Sequence, residues 1–292
     1  MKRTLAFLTV MMIFTGLFCA CDMTRHESGL EYAEQNGEIV IKSYKDLTTR
    51  RKLAVPDWIE GKPVTRIDKF GIANAESLLV IAIGKNLREI DDWGIVNNAN
   101  LFRFEVDDGN KYFTAAGGVL FTKNMAKLVA YPQRRNDPYS DGYLDTAKYK
   151  SIAALPSVQG AANRTYRVPD GVTELAPQSF YRIDTLQKLI LPGTIRHIGP
   201  RALFQMYALE EINFPEGLQT IGRDGVSFCS ALTKIELPST LTSLGEYAFF
   251  DCRNVKTVTV KAPKNRVELG RLWYPTDNGK EMPDLRIVWL NG

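Results

Sequence analysis

Few residues in this 292-residue chain are of a type and spacing that could do covalent chemistry. There are two histidines. His26 lies just beyond an apolar leader, and His197 sits between Ile195 and Ile198 on a connecting turn, the place of a surface residue rather than a base. No G-x-S-x-G elbow, H-E-x-x-H pair or G-x-x-x-x-G-K-[ST] loop is present. Asp107-Asp108-Gly109-Asn110 has the residue types of a calcium loop, yet the carboxylate spacing and the distal glutamate are missing, so it reads as a turn. Cys229 and Cys252 have no partner histidine, which removes both a nucleophile and a zinc site. Sitting one repeat apart, they are within reach of a disulfide if neighbouring coils lie about 4.8 Å apart. The other reading, a buried reduced pair, is favoured because Met206 and Ile183 fill the same column. No catalysis, metal or cofactor is expected.

Two sets of residues suit non-covalent recognition. Lys188, Glu211 and Lys234 fall at equivalent outward positions of successive strands with alternating sign, which makes either an ion-pair ladder or a face that reads a ligand. Opposite charges across neighbouring strands stabilise by roughly 0.2 to 1 kcal/mol per pair. The second set, Arg134, Arg135, Tyr139, Tyr143, Lys148, Tyr149 and Lys150, lies in a long loop. Tyrosine and arginine are enriched at interface hot spots, and long loops in compact folds are often functional. The alternative is a surface loop whose tyrosines pack back on the body of the protein.

These residues are positioned by a repeat. Leu186, Leu209, Leu232 and Val255 are spaced by twenty-three residues; Leu189, Ile212, Ile235 and Val258 follow in step, then Leu191, Phe214, Leu237 and Val260. One such L-x-x-I-x-L unit cannot bury its apolar side alone, so a period of this size predicts a stacked solenoid. Each phrase is a short strand with alternating inward residues. Pro169, Pro192, Pro215 and Pro238 follow, and proline lacks the amide to extend a ladder. Small-then-bulky pairs such as Ala202-Leu203 and Ala248-Phe249 mark a return side of irregular or short helical turns. Six coils keep the phase, two over residues 64–106 and four over 168–260. The intervening 107–167 reads as an insertion, with a hairpin around Lys123-Asn124 ahead of the tyrosine-rich loop. Residues 21–63 read as a tether and N-terminal cap, with a hairpin turning at Gln35-Asn36-Gly37. Residues 261–292 read as a C-terminal cap ending in a strand through Leu285, Ile287 and Trp289.

Residues 1–20 read as an export signal: Lys2 and Arg3 precede an apolar run too short to span a bilayer comfortably. Leu17 to Cys21 resembles a lipobox, which makes Cys21 the lipid-bearing residue; an ordinary secretory signal is the alternative. Removing the leader takes the formal charge from +4 to +2. A chain this close to neutral lacks the concentrated basic face of a nucleic-acid binder.

Gly29-Leu30-Glu31-Tyr32, Glu60-Gly61-Lys62-Pro63-Val64-Thr65-Arg66-Ile67, Gly118-Val119-Leu120-Phe121 with Tyr131-Pro132, and Gly245 to Cys252 resemble the BspA-like bacterial leucine-rich repeat proteins. The resemblance runs from Gly29 to the C-terminus. It implies a leucine-rich repeat solenoid, mostly β or α/β in type, with a curved sheet of short parallel strands and caps at both ends. It further implies an exported, surface-associated protein, which the lipobox-like leader is expected to hold in the outer membrane by its lipid alone, facing outward. Such a monomer would bind a host or bacterial surface protein or a glycan. A structural or assembly role among other envelope proteins is the alternative.

Overall fold

The structure, a computed structural model, describes residues 24–47, 50–135 and 164–291. Cys21, Tyr139, Tyr143, Lys148, Tyr149 and Lys150 lie outside the described residues. The chain winds into a β-solenoid of about nine turns with a curved sheet and almost no helix. Each full turn runs from a short strand on one face to a strand on a second face. The first three go from Glu38–Tyr44 to Lys52–Ala54, from Lys62–Ile67 to Val80–Ile83, and from Glu89–Ile90 to Arg103–Val106. The next three go from Lys127–Ala130 to Thr165–Arg167, from Glu174–Leu175 to Lys188–Ile190, and from His197–Ile198 to Glu211–Ile212. The last three go from Thr220–Ile221 to Lys234–Leu237, from Ser243–Leu244 to Thr257–Val260, and from Glu268–Leu269 to Arg286–Trp289.

Six coils follow from the strict period, so three turns escape it. Each does so for a physical reason. The first and last close the ends of the stack and carry the irregular lengths that sealing demands. The fourth is assembled around the break in phase. There Phe113–Ala116, Val119–Thr122 and Lys127–Ala130 form an antiparallel meander, and its last strand aligns parallel with Glu174–Leu175. The N-terminal hairpin pairs Leu30–Gln35 with Glu38–Tyr44, and Asn36 and Gly37 both have positive φ, as a tight hairpin turn requires.

The inward columns are buried as their spacing demands. Leu186, Leu189, Leu209 and Val258 are 0 % exposed, while Leu232 and Ile235 are 1 %. Fully burying such side chains contributes about 1.5 to 3 kcal/mol each. The proline that ends each strand also starts the next corner: the carbonyls of Pro192 and Pro215 accept from the amides of Ile195 and Leu218, both at 3.1 Å.

The return side is β-like rather than helical. Ile72–Ala73 pairs with Ile95–Val96, and Phe180, Leu203 and Val226 donate to the carbonyls of Ala202, Gly225 and Ala248 one turn ahead. Two columns of left-handed residues bend this side. Gln178, Arg201, Asp224 and Tyr247 make one; Arg182, Gln205, Phe228 and Asp251 make the other. Non-glycine residues adopt this conformation at a cost of roughly 1 to 2 kcal/mol, so the burial around them has to offset it in every turn.

Candidate functional site

On the second face of the later turns Lys188, Glu211, Lys234 and Glu236 point to solvent, as alternation along a strand dictates. Lys188 Nζ meets a Glu211 carboxylate oxygen at 2.5 Å. That hydrogen bond, reinforced by the charge of Lys188, holds the Glu211 carboxyl below its usual range. The rung expected from Glu211 to Lys234 is absent among the described residues. Lys234 turns instead to Glu236 on its own strand, at 3.3 Å.

The ladder stops because the sheet does. Thr165–Arg167, Lys188–Ile190 and Glu211–Ile212 pair in one set; Lys234–Leu237, Thr257–Val260 and Arg286–Trp289 pair in another. At the turns before the gap, the two amides that open each strand share one carbonyl of the preceding turn. Leu79 and Val80 donate to Arg51, Gln187 and Lys188 to Arg164, and Glu210 and Glu211 to Gln187. Thr233 and Lys234 make no equivalent bond to Glu210 among the described residues.

Two departures from the repeat sit at this opening. Asn213 takes an outward position whose neighbours are Ile190 and Glu236. Its Oδ1 accepts from the Leu191 amide at 2.7 Å and its Nδ2 donates to the Leu191 carbonyl at 2.9 Å. A side chain thus imitates the backbone and ends the strand early. Phe214 stands in a column otherwise filled by Leu191, Leu237 and Val260, and its ring packs edge-on against Phe249 with centroids 5.9 Å apart. The consequence is visible at Ile212, which is half-buried while its column-mates Leu189 and Val258 are 0 % exposed.

The result is a groove of about 660 Å³. Ile212 lies in its floor and Phe214 in its wall. Glu210 and Glu211 with Lys188 line one bank, Lys234 and Lys261 with Glu236 the other. Lys188, Glu211 and Lys234, predicted as a row, are therefore brought together around one opening. Asn213, Phe214 and Lys261 were not singled out by sequence reasoning; Asn213 beside a proline-closed phenylalanine was the available signal.

The other predicted positions fall elsewhere. Arg134 Nη1 donates to Asn100 Oδ1 at 2.9 Å and its guanidinium lies 5.6 Å from the centre of the Phe102 ring. Arg135 Nε donates to the Gly117 carbonyl at 2.7 Å, and its guanidinium lies 5.5 Å from the Tyr166 ring centre. Both arginines bind the start of the loop to the body. His197 Nδ1 lies 2.9 Å from Thr220 Oγ1 on an exposed connecting strand. Asp107 Oδ1 accepts from the Gly109 amide at 2.8 Å, which makes that segment a turn. Among the described residues no group of three or more His, Cys, Asp and Glu is placed to hold a metal ion. No described helix is long and apolar enough to cross a membrane.

Cys229 and Cys252 are free and buried. Their Sγ atoms donate to carbonyls of the preceding turn, Leu203 at 3.2 Å and Val226 at 3.1 Å. Burial raises the Cys229 thiol pKa, and its neighbour Cys252 adds to the effect.

The return side carries a feature that sequence reasoning missed. Phe70, Trp93, Tyr181, Phe204, Phe228 and Phe250 form an unbroken chain of rings, with successive centroids 5.1 to 5.8 Å apart. Phe70 at one end is 49 % exposed. The signal lay one residue past the bulky inward position, where Tyr181, Phe204 and Phe250 recur.

Residues 161–270 match the family described as BspA type leucine rich repeat region, in six copies. No curated protein matches the chain in sequence. Among solved structures, the pneumococcal vaccine antigen PcpA is 14 % identical, with 90 % of each chain covered and a TM-score of 0.45. A leucine rich repeat protein of T. pallidum is 16 % identical, covering 79 % of this chain and 89 % of its own, at 0.45. A leucine rich cell surface protein of Faecalibacterium prausnitzii A2-165 is 12 % identical, covering 92 % and 95 %, at 0.44. Likenesses of this size carry no argument about a ligand.

Proposed function

We propose that this chain is an exported, lipid-anchored surface protein that binds a protein or glycan partner without covalent chemistry, a reading supported by the match of residues 161–270 to the BspA type leucine rich repeat region. The observation that carries this reading is the groove between the Glu211–Ile212 and Lys234–Leu237 strands. It offers a partly exposed apolar floor between two charged banks, the mixture found at specific interfaces. The anchor is Cys21, and the repeat face is presented away from the membrane.

The test has two arms. Protease applied to whole cells is expected to cleave the protein; complete protection would exclude adhesion from outside. The purified mature chain is then applied to arrays of matrix proteins and glycans. The Lys234→Ala and Lys261→Ala variants are expected to weaken any captured partner by roughly tenfold if they act as hot spots; unaltered capture removes the groove from the site.

A second reading, assembly with other envelope proteins, is favoured by the ring chain from Phe70 to Phe250. A stable bacterial partner that co-purifies with the protein, and is lost in Phe204→Ser, is what that reading expects.

A further inference from the structure

Among the described residues, the main-chain groups on the two sides of the groove do not pair with each other. Alternation along a strand turns the amide and carbonyl of every second residue to the same edge. The carbonyls of Glu210 and Ile212 therefore face the opening from one bank, and the amides of Lys234 and Glu236 face it from the other. At equivalent places in the earlier turns such groups pair with each other. Here no strand pairing joins the two banks among the described residues. We propose that this break is a strand-addition slot, in which an extended polypeptide segment of a partner pairs its backbone with the open edge. The proposal rests on the binding role argued above and names the chemical class of what that groove receives.

Three features select an extended peptide. Donors and acceptors spaced two residues apart along a strand repeat about every 6.7 Å, a spacing that another extended backbone reproduces and supplies with matching acceptors and donors. The half-buried Ile212 side chain gives an inward-pointing apolar residue of the incoming segment something to cover. The banks differ in net sign: Glu210 and Glu211 with Lys188 stand on one side, Lys234 and Lys261 with Glu236 on the other. An incoming strand with a basic and an acidic residue on its outward face complements both, whereas a polyanion would be repelled by one bank. The surrounding ladders hold the slot in shape, since Thr220–Ile221 and Ser243–Leu244 remain paired on the neighbouring face.

The protein alone provides the first test, by amide hydrogen exchange on the mature chain. The Lys234 and Glu236 amides are expected to exchange at least about 100-fold faster than those of Glu211 and Lys256, whose bonds are made. Equal protection would mean that the ladder is closed in solution and would overturn the proposal. The second test adds a blocked nonapeptide alternating threonine and valine, with one lysine and one glutamate on the threonine face. It is expected to slow exchange at Lys234 and Glu236, while its twin with alternate amides N-methylated has no such effect; equal action by both peptides, or none by either, counts against strand addition. A Glu211→Cys, Lys234→Cys double variant is expected to lose the peptide when oxidised and regain it when reduced, and uptake unchanged by oxidation would also sink the idea. Capture of a glycan that leaves these amides unprotected overturns the slot but leaves the broader binding role standing. Peptide uptake by a protein fully shielded on whole cells does the reverse.

Discussion

Phe228 lies twenty-four residues after Phe204, one more than the period, yet the two rings meet edge-on with centroids 5.1 Å apart. The residue in phase is Ser227, which is buried and donates to the Tyr247 carbonyl at 2.5 Å. The ring chain would break there. Phe228 repairs it from a left-handed backbone position, at φ 60°, and passes the contact on to Phe250 at 5.7 Å. Left-handed geometry is common to this column, and of Arg182, Gln205, Phe228 and Asp251 only Phe228 uses it to place a ring in the stack.

This makes an unusual order of stabilities the expected outcome. Phe228→Ala forfeits the ring contacts and keeps the strained backbone, costing about 2 kcal/mol. Phe228→Gly forfeits the same contacts but relieves roughly 1 kcal/mol of left-handed strain. Urea midpoints should therefore rank wild type, then glycine, then alanine; an alanine variant more stable than the glycine one would contradict the assignment.

A second expectation concerns the corner glycines. A Cβ added at Gly245 would stand 2.5 Å from the Arg223 nitrogen and 2.6 Å from the Gly222 carbonyl carbon, both backbone atoms of the preceding turn. Nothing flexible can yield there, so Gly245→Ala should cost about 3 kcal/mol. Gly193 has nothing within 4 Å of its added Cβ. Gly193→Ala is accordingly expected to stay within about 0.5 kcal/mol of wild type by thermal denaturation. Similar losses at both positions would show that close coil-to-coil approach is not the cause.

The repeat was legible because core burial writes itself on every twenty-third residue, and each inward column from Leu186 to Val260 could be read directly. What could not be read was a property of pairs. Glu211 and Lys234 are one repeat apart like Lys188 and Glu211, and nothing in their types distinguishes a closed rung from an open one. The difference comes from Asn213 substituting its amide for a backbone partner and from Phe214 adding bulk at the corner. The return side was left open between irregular and helical turns for a similar reason. Its left-handed positions include Gln178, Arg201 and Gln205, residues whose types do not announce positive φ, so the bend there is imposed by packing. The slot and the ring chain thus lie where the repeat is disturbed or where its exposed residues happen to agree.

The thiols give a prediction with a pH sign. Both should resist alkylation in the native protein and both should react after unfolding without any reductant; a need for reductant would mean a disulfide. Burial raises the folded-state pKa of Cys229. Between the unfolded value, about 8.5, and that raised value, the native state holds a proton that the unfolded state has lost. Its contribution to stability is therefore complete below about pH 8.5 and declines as pH rises. Tyr166, pushed up to about 12 by burial, adds a further decline above pH 10. Cys229→Ala should flatten the first part of this alkaline slope in urea titrations, leaving the second.

The last prediction concerns how the two halves of the solenoid act as one. The sheet through Glu38–Tyr44, Lys62–Ile67 and Glu89–Ile90 does not continue into the sheet that begins at Phe113–Ala116, and the buried side chains fall into two clusters. Ladder bonds therefore cannot carry all of the cooperation across the break. Trp93 bridges it. Its amide donates to Gln178 Oε1 at 3.2 Å, its ring meets Tyr181 with centroids 5.5 Å apart, and the Arg201 guanidinium sits 5.3 Å from its centre. Trp93→Ala is expected to cost roughly 3 kcal/mol and to separate the two halves, because it removes contacts that neither half can replace alone. Hydrogen exchange should then show amides of the first three turns opening at lower free energy than those of the last five, where wild type is expected to show one cooperative limit. A single shared limit in the variant would transfer the coupling to the meander and to Arg134, whose amide donates to the Leu101 carbonyl at 2.9 Å across the same break.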